Sequence, residues 1–137
     1  MRTTLLKRAF AAAVGSVFFV GAAYAAHPAS VAGTWSAIGN QTVGRLVLSQ
    51  AASGAVCKPI AGFIFAASNA VRGYYCPPTG RMVFARHTSN GVPFQLYEGQ
   101  VSRDGVIDRI GGSFMIWNSL GGGAFNEGPD YNFSATK

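Results

Sequence analysis

The sequence predicts an all-β protein, an antiparallel meander of about eight strands that closes into an up-and-down barrel. Three observations carry this expectation. Apolar and polar residues alternate with period two in run after run, a turn signal recurs about every 8 to 14 residues, and no later stretch has the spacing of an amphipathic helix. Consecutive runs can all be joined as hairpins, which suits antiparallel pairing. A flat sheet of that width would leave two open edges, and closure removes both. A two-sheet β-sandwich is the runner-up, because its connections look alike in sequence.

The first 25 residues are expected to be an export signal. Met1 to Arg8 carries Arg2, Lys7 and Arg8 and no acid, and Ala9 to Ala22 is apolar. Ala23-Tyr24-Ala25 then offers small residues on either side of Tyr24, as a signal-peptidase site requires. An apolar run of about 14 residues is short of the roughly 20 needed to cross a bilayer. Cleavage after Ala25 leaves one domain, residues 26–137, with no further membrane span and no cysteine placed for a lipid anchor. A periplasmic or secreted location follows. The formal charge of +6 falls to near +3 in the mature chain, eight basic residues against five acidic, which argues against nucleic acid as a partner. Cys57 and Cys76, the only two cysteines, are expected to form a disulfide in that compartment.

Along the mature chain, Ala26 to Ala32 reads as an untethered leader broken at Pro28. Gly33-Thr34-Trp35 opens the first strand and Gly39-Asn40 ends it. Thr42 to Gln50 puts Leu46 and Leu48 on one face and Arg45, Val47 and Ser49 on the other. Ile60 to Ala67, with its Phe63-Ile64-Phe65 cluster, is apolar on both faces and is read as a strand. It turns at Ser68-Asn69 into Val71 to Cys76, a pairing that brings Cys57 and Cys76 within about two residues of facing each other. Pro77 to Gly80 is a turn by composition. Arg81 to His87 sets Met82, Phe84 and Arg86 against Arg81, Val83, Ala85 and His87.

Phe94 to Trp117 is read as one curved wall. Asp104-Gly105 is a strong hairpin signal between its two runs, and Gly111-Gly112 in the second run marks a bend of the kind that curls a sheet toward closure. Asn118 to Pro129 is expected to be irregular, a mobile lid at one barrel end. Tyr131, Phe133 and Ala135 then alternate with polar residues in a last strand.

With Gly33-x-Trp35 in its first strand, a hairpin meander and a final strand that can close on the first, the chain resembles streptavidin and lipocalin-like barrels. The resemblance implies an up-and-down topology. The biotin-binding barrels line their pocket with several tryptophans, whereas this chain has only Trp35 and Trp117, so no binding residue is carried over. The combination YYCPPTGRMVF with FQLYEGQV is also similar to small secreted bacterial proteins, which implies export but no mechanism.

The residues offer little catalytic chemistry. His27 would chelate copper only if it became the amino terminus, and cleavage there would put Tyr24 where a small residue is wanted. His87 can be grouped on paper with a serine and Asp104 or Asp108, but no Gly-x-Ser-x-Gly elbow marks a nucleophile. Asp104 is explained by its turn, and Asp108 is expected to meet a cross-strand cation such as Arg103 at the surface. Glu98, between Tyr97 and Gly99, has no ready structural reading. Arg72, Arg81 and Arg86 lie on neighbouring strands and are read as scattered solvated cations.

An eight-stranded barrel is just wide enough to be packed solid or to hold one small ligand. The expectation is therefore a non-catalytic binding module without cofactor or metal, with Glu98, Tyr75, Phe84 and Trp117 as ligand-lining residues. The alternative is a protein-interaction module, such as a hydrolase inhibitor or an envelope-associated structural protein.

Overall fold

The computed structural model describes residues 26–121 and 124–137; the expected export signal lies outside them. Eight antiparallel strands follow in order: β1 (Gly33–Gly39), β2 (Thr42–Gln50), β3 (Lys58–Ile64), β4 (Ala70–Cys76), β5 (Arg81–His87), β6 (Pro93–Asp104), β7 (Ile107–Gly121) and β8 (Ala124–Thr136). Each pairs with the next, and β8 returns to β1 through Ser36↔Thr136 to Gly39↔Phe133, so the sheet closes as an up-and-down barrel. The sandwich reading is excluded by that last pairing.

Period-two alternation sets the core. Trp35 and Ala37, Leu46 and Leu48, Ile60 and Ile64, Met82 and Phe84, and Phe133 and Ala135 all point inward and are buried. Outward positions along the barrel carry Arg45, Arg72, Arg81, Glu98 and Arg109, all exposed. Closing a sheet this small requires tight coiling, and Gly99 and Gly112 supply it as direct partners on β6 and β7. A Cβ on Gly112 would meet the Glu98 carbonyl oxygen and would lie 2.6 Å from the Gly99 Cα.

Two turns follow their residues. Asp104 pairs with Ile107, leaving Gly105-Val106 as the two-residue loop, with Gly105 at φ +61° as a type II′ hairpin requires at its first position. Between β1 and β2 the left-handed position falls to Asn40, at φ +53°.

The disulfide forms as expected. The β3–β4 register runs from Lys58↔Tyr75 to Phe63↔Ala70, which places Cys57 directly opposite Cys76, and their Cα atoms are 4.1 Å apart. This bond is compatible with an oxidising, extracytoplasmic location.

Three expectations are corrected. Asn118 to Pro129 is not irregular: most of it belongs to a β7–β8 hairpin that continues beyond the barrel, with register shifts between Met115 and Trp117 and between Ser119 and Gly121. Period two is lost there, and Asn118, Ala124, Asn126, Glu127 and Pro129 are all exposed rather than packed on the core. Ala26 to Ala32 is not a loose leader. It crosses the barrel end as a strap, because the apolar lining there must be covered: Val31 is fully buried, its carbonyl accepts from Trp35 Nε1 at 2.9 Å, and Gln50 holds it through Val31 N and Ala29 O. Third, β3 ends at Ile64 rather than running to Ala67. Phe65 adopts φ +63°, and the Ala66 amide donates to the Ile64 carbonyl at 2.8 Å across it, so the chain reverses in a tight γ-turn.

Candidate functional site at the open end of the barrel

The two ends of the barrel are built differently. The strapped end is closed by residues 26–32 and carries the β2–β3, β4–β5 and β6–β7 connections. The other end carries the β1–β2, β3–β4, β5–β6 and β7–β8 turns and opens into a cavity of about 280 Å³.

The floor of that cavity is a ladder of rings. Phe84, Tyr97, Phe114 and Tyr131 are successive cross-strand partners on β5, β6, β7 and β8. Direct register stacks them, with centroids 4.7, 4.8 and 5.2 Å apart from one rung to the next. Phe133 braces the ladder from below, edge-on to Tyr97 at 5.1 Å. Tyr97, Phe114 and Tyr131 present themselves to the cavity.

One layer nearer the opening, Arg86 on β5 faces Gln95 on β6. Both point inward for the same reason as Phe84 and Tyr97, two residues away on their strands. Gln95 is 7% exposed. Its Oε1 accepts from Arg86 Nη1 at 2.8 Å and from the Tyr97 hydroxyl at 3.0 Å. Burial pushes the Tyr97 phenol above its ordinary pKa, with the charge of Arg86 opposing that rise. The guanidinium is held between two rings, 4.9 Å from the Phe94 centroid and 5.5 Å from that of Phe65. Phe94 reaches it because the register shifts between Arg86 and His87, making Phe94 the extra residue of a bulge. Phe65 reaches it from the end of β3, two strands from β5, through its γ-turn. Its ring fills space left by Gly44, where a Cβ would lie 2.8 Å from Cδ1.

Among the described residues Arg86 has no anionic partner. The described ion pairs join Arg81 to Glu98 and both Arg103 and Lys137 to Asp108, and none reaches Arg86. Its Nε is buried without an acceptor. A buried donor without a partner is uncommon and calls for an explanation.

The strapped end holds the contrasting case. Asp108, 3% exposed, points inward rather than lying at the surface as expected. It does meet the expected cation, Arg103, through Nε at 2.7 Å and Nη2 at 3.0 Å, and Lys137 lies 3.6 Å away. The hydrogen bond from Arg103 is the main reason its carboxyl sits below the usual carboxylate range.

The four residues expected to line a ligand site are dispersed. Glu98 faces outward, half exposed and 3.7 Å from Arg81. Tyr75 is fully buried toward the strapped end, where its hydroxyl donates to the Pro28 carbonyl at 2.6 Å. Burial, with Asp108 as a second cause, pushes its phenol up to about 12. Phe84 is the innermost rung of the ladder, behind Tyr97. Trp117 is on the outer face beside Pro93, Asn126 and Glu127.

Of the three arginines expected to be scattered solvated cations, Arg72 and Arg81 point outward and Arg86 inward. His27 binds the Val101 carbonyl through Nδ1 at 2.8 Å as part of the strap. His87 lies on the outer face toward the open end, whereas Asp104 and Asp108 are at the strapped end, so these groups do not meet.

Arg86, Gln95, Tyr97 and Phe65 were not among the expected site residues. The signal for the first was present, since Met82-x-Phe84-x-Arg86 shares one face. Comparison with protein-family models gives no match, and neither does comparison with curated protein sequences.

Proposed function

We propose that this protein is an exported, non-catalytic binding module that takes a small molecule into the cavity at the open end of its barrel. The observation that carries the reading is the construction of that cavity: a floor of stacked aromatic rings with a single inward cation, Arg86, above it. Ligand pockets are typically apolar hollows with a few placed polar groups, often at barrel mouths, and this one lies near the small end of their roughly 300–1,000 Å³ range. The disulfide supports export, and an apolar interior under a charged exterior is the reverse of a membrane-spanning barrel.

Native mass spectrometry of the protein purified from its own host tests the reading. A co-purifying mass of small-molecule size is expected, lost on denaturation. Only the bare polypeptide mass across repeated preparations would count against it.

A protein-interaction role has one observation in its favour. The β6–β7 register ends at Gln95↔Ile116 and β1 reaches only Phe133, so the β7–β8 hairpin extends with both edges unpaired. A pull-down from envelope fractions tests that alternative. Recovery of a partner that is lost when the hairpin is shortened would favour it over ligand binding.

A further inference from the structure

The two buried polar side chains on the barrel's inner face, Asp108 and Gln95, each meet an arginine, but the two pairs are not equivalent. At the strapped end, the Nε–Nη2 edge of Arg103 grips the Asp108 carboxylate at two points. At the open end, Arg86 spends Nη1 on the neutral amide of Gln95, and the Nε of the corresponding edge has no acceptor. The open end is thus an arginine–carboxylate pair without the carboxylate.

Building on the small-molecule reading above, we propose that the ligand is an organic monocarboxylate with a compact, planar, apolar body. Its carboxylate takes the Nε–Nη2 edge of Arg86, and its body lies against the Tyr97 and Phe114 rungs. Three features narrow the class. Arg86 brings one positive charge with no ion-pair partner among the described residues, so a single negative charge is matched. A dianion such as phosphate would add a second charge among aromatic rings, where desolvation is unfavourable. The rings of Phe65 and Phe94 cover the guanidinium, so an anion must approach along its edge, where a planar two-oxygen group fits best.

That edge is covered at present, since Nε is buried. Of the two rings beside the guanidinium, Phe65 is the one suited to yield. A bulky residue at φ +63° in a γ-turn holds a strained backbone, and its ring lies beside Gly39 and Gly44 at the margin of the core. Displacement of Phe65 by the entering body uncovers the edge.

Isothermal titration of the disulfide-bonded protein with 2-naphthoate, its neutral analogue 2-naphthamide and the cationic 2-naphthylmethylamine tests the proposal. The acid should bind about tenfold or more tightly than the amide, and the amine should give no binding heat. Arg86→Met should abolish the preference for the acid. Arg86→Lys, which keeps the charge without the fork, should retain only part of it. Melting curves for both variants establish that they are folded. Equal binding of acid and amide, or an acid preference that survives in folded Arg86→Met, overturns the carboxylate inference while leaving small-molecule binding standing. Absence of binding by every probe at millimolar concentration also overturns it. The mass-spectrometric result above then decides separately whether the binding reading itself survives.

Discussion

Replacing Tyr75 with Phe removes one oxygen atom from the strapped end and leaves the ring in place. That oxygen donates to the Pro28 carbonyl at 2.6 Å, and both residues are fully buried, so water cannot substitute for it. An unsatisfied buried carbonyl costs about 1–3 kcal/mol. A domain of about 110 residues shifts by about 4 °C per kcal/mol, so Tyr75→Phe should lower the melting temperature by about 4–12 °C. Hydrogen exchange should show where the loss falls, with faster exchange at Val31 and Arg103, whose amides are held by Gln50 and by the Ala26 carbonyl. The pH profile provides a second reading. The folded phenol stays protonated to about 12, whereas the unfolded one ionises near 10. Deprotonation therefore favours the unfolded chain from pH 10 upward, and stability should fall through that window. Tyr75→Phe should flatten the fall, with some slope remaining because Tyr97 is shifted in the same direction. Ligand affinity at the open end should be unaffected. A variant as stable as wild type, or one whose main defect is weaker ligand binding, would refute this placement of Tyr75.

Three further outcomes are expected. Asp108→Asn should reduce stability at neutral pH; because the native carboxyl is depressed, its contribution is present above the unfolded value near 4 and lost as pH falls through the native value. Urea titrations should thus show wild type and variant converging in acid, and a constant difference would argue against the pair. Serine at both Cys57 and Cys76 should remove about 3 kcal/mol, or about 12 °C, mainly by freeing the unfolded chain, while the barrel's far-ultraviolet circular dichroism is kept. Phe65→Gly relieves a strain of about 1–3 kcal/mol at φ +63° against the lost packing of a half-buried ring. Stopped-flow mixing should show faster association of 2-naphthoate with this variant, and unchanged or slower association would remove Phe65 as the cover.

How much of this was legible in the chain depended on whether a residue's local pattern and its tertiary setting agreed. The β1, β2, β4 and β5 strands alternate because one face of each is in the core, and they were read close to their observed limits. The Asp104-Gly105 turn and the Cys57–Cys76 bond follow from local chemistry and from the β3–β4 register. The β7–β8 extension and the strap were misread for opposite reasons. The extension has regular backbone without a core face, and the strap has core residues, Pro28 and Val31, without regular structure. Glu98 stood out by its type and proved to be an outward residue beside Arg81. Arg86 shares a face with Met82 and Phe84 in the alternation of its strand, and that face is the barrel interior. Its cover by Phe65 and Phe94 depends on a γ-turn and a bulge, which no local composition announced.

The proposed ligand site is the open end, floored by the aromatic ladder and headed by Arg86. Amide chemical-shift mapping during titration with 2-naphthoate tests it most directly. Perturbations should concentrate at Asn40, Phe65, Arg86, Gln95 and Tyr97, with the strap and the Arg103–Asp108 pair unmoved. Shifts confined to the strap, to the outer face around Arg72 and His87, or to the β7–β8 extension would contradict it.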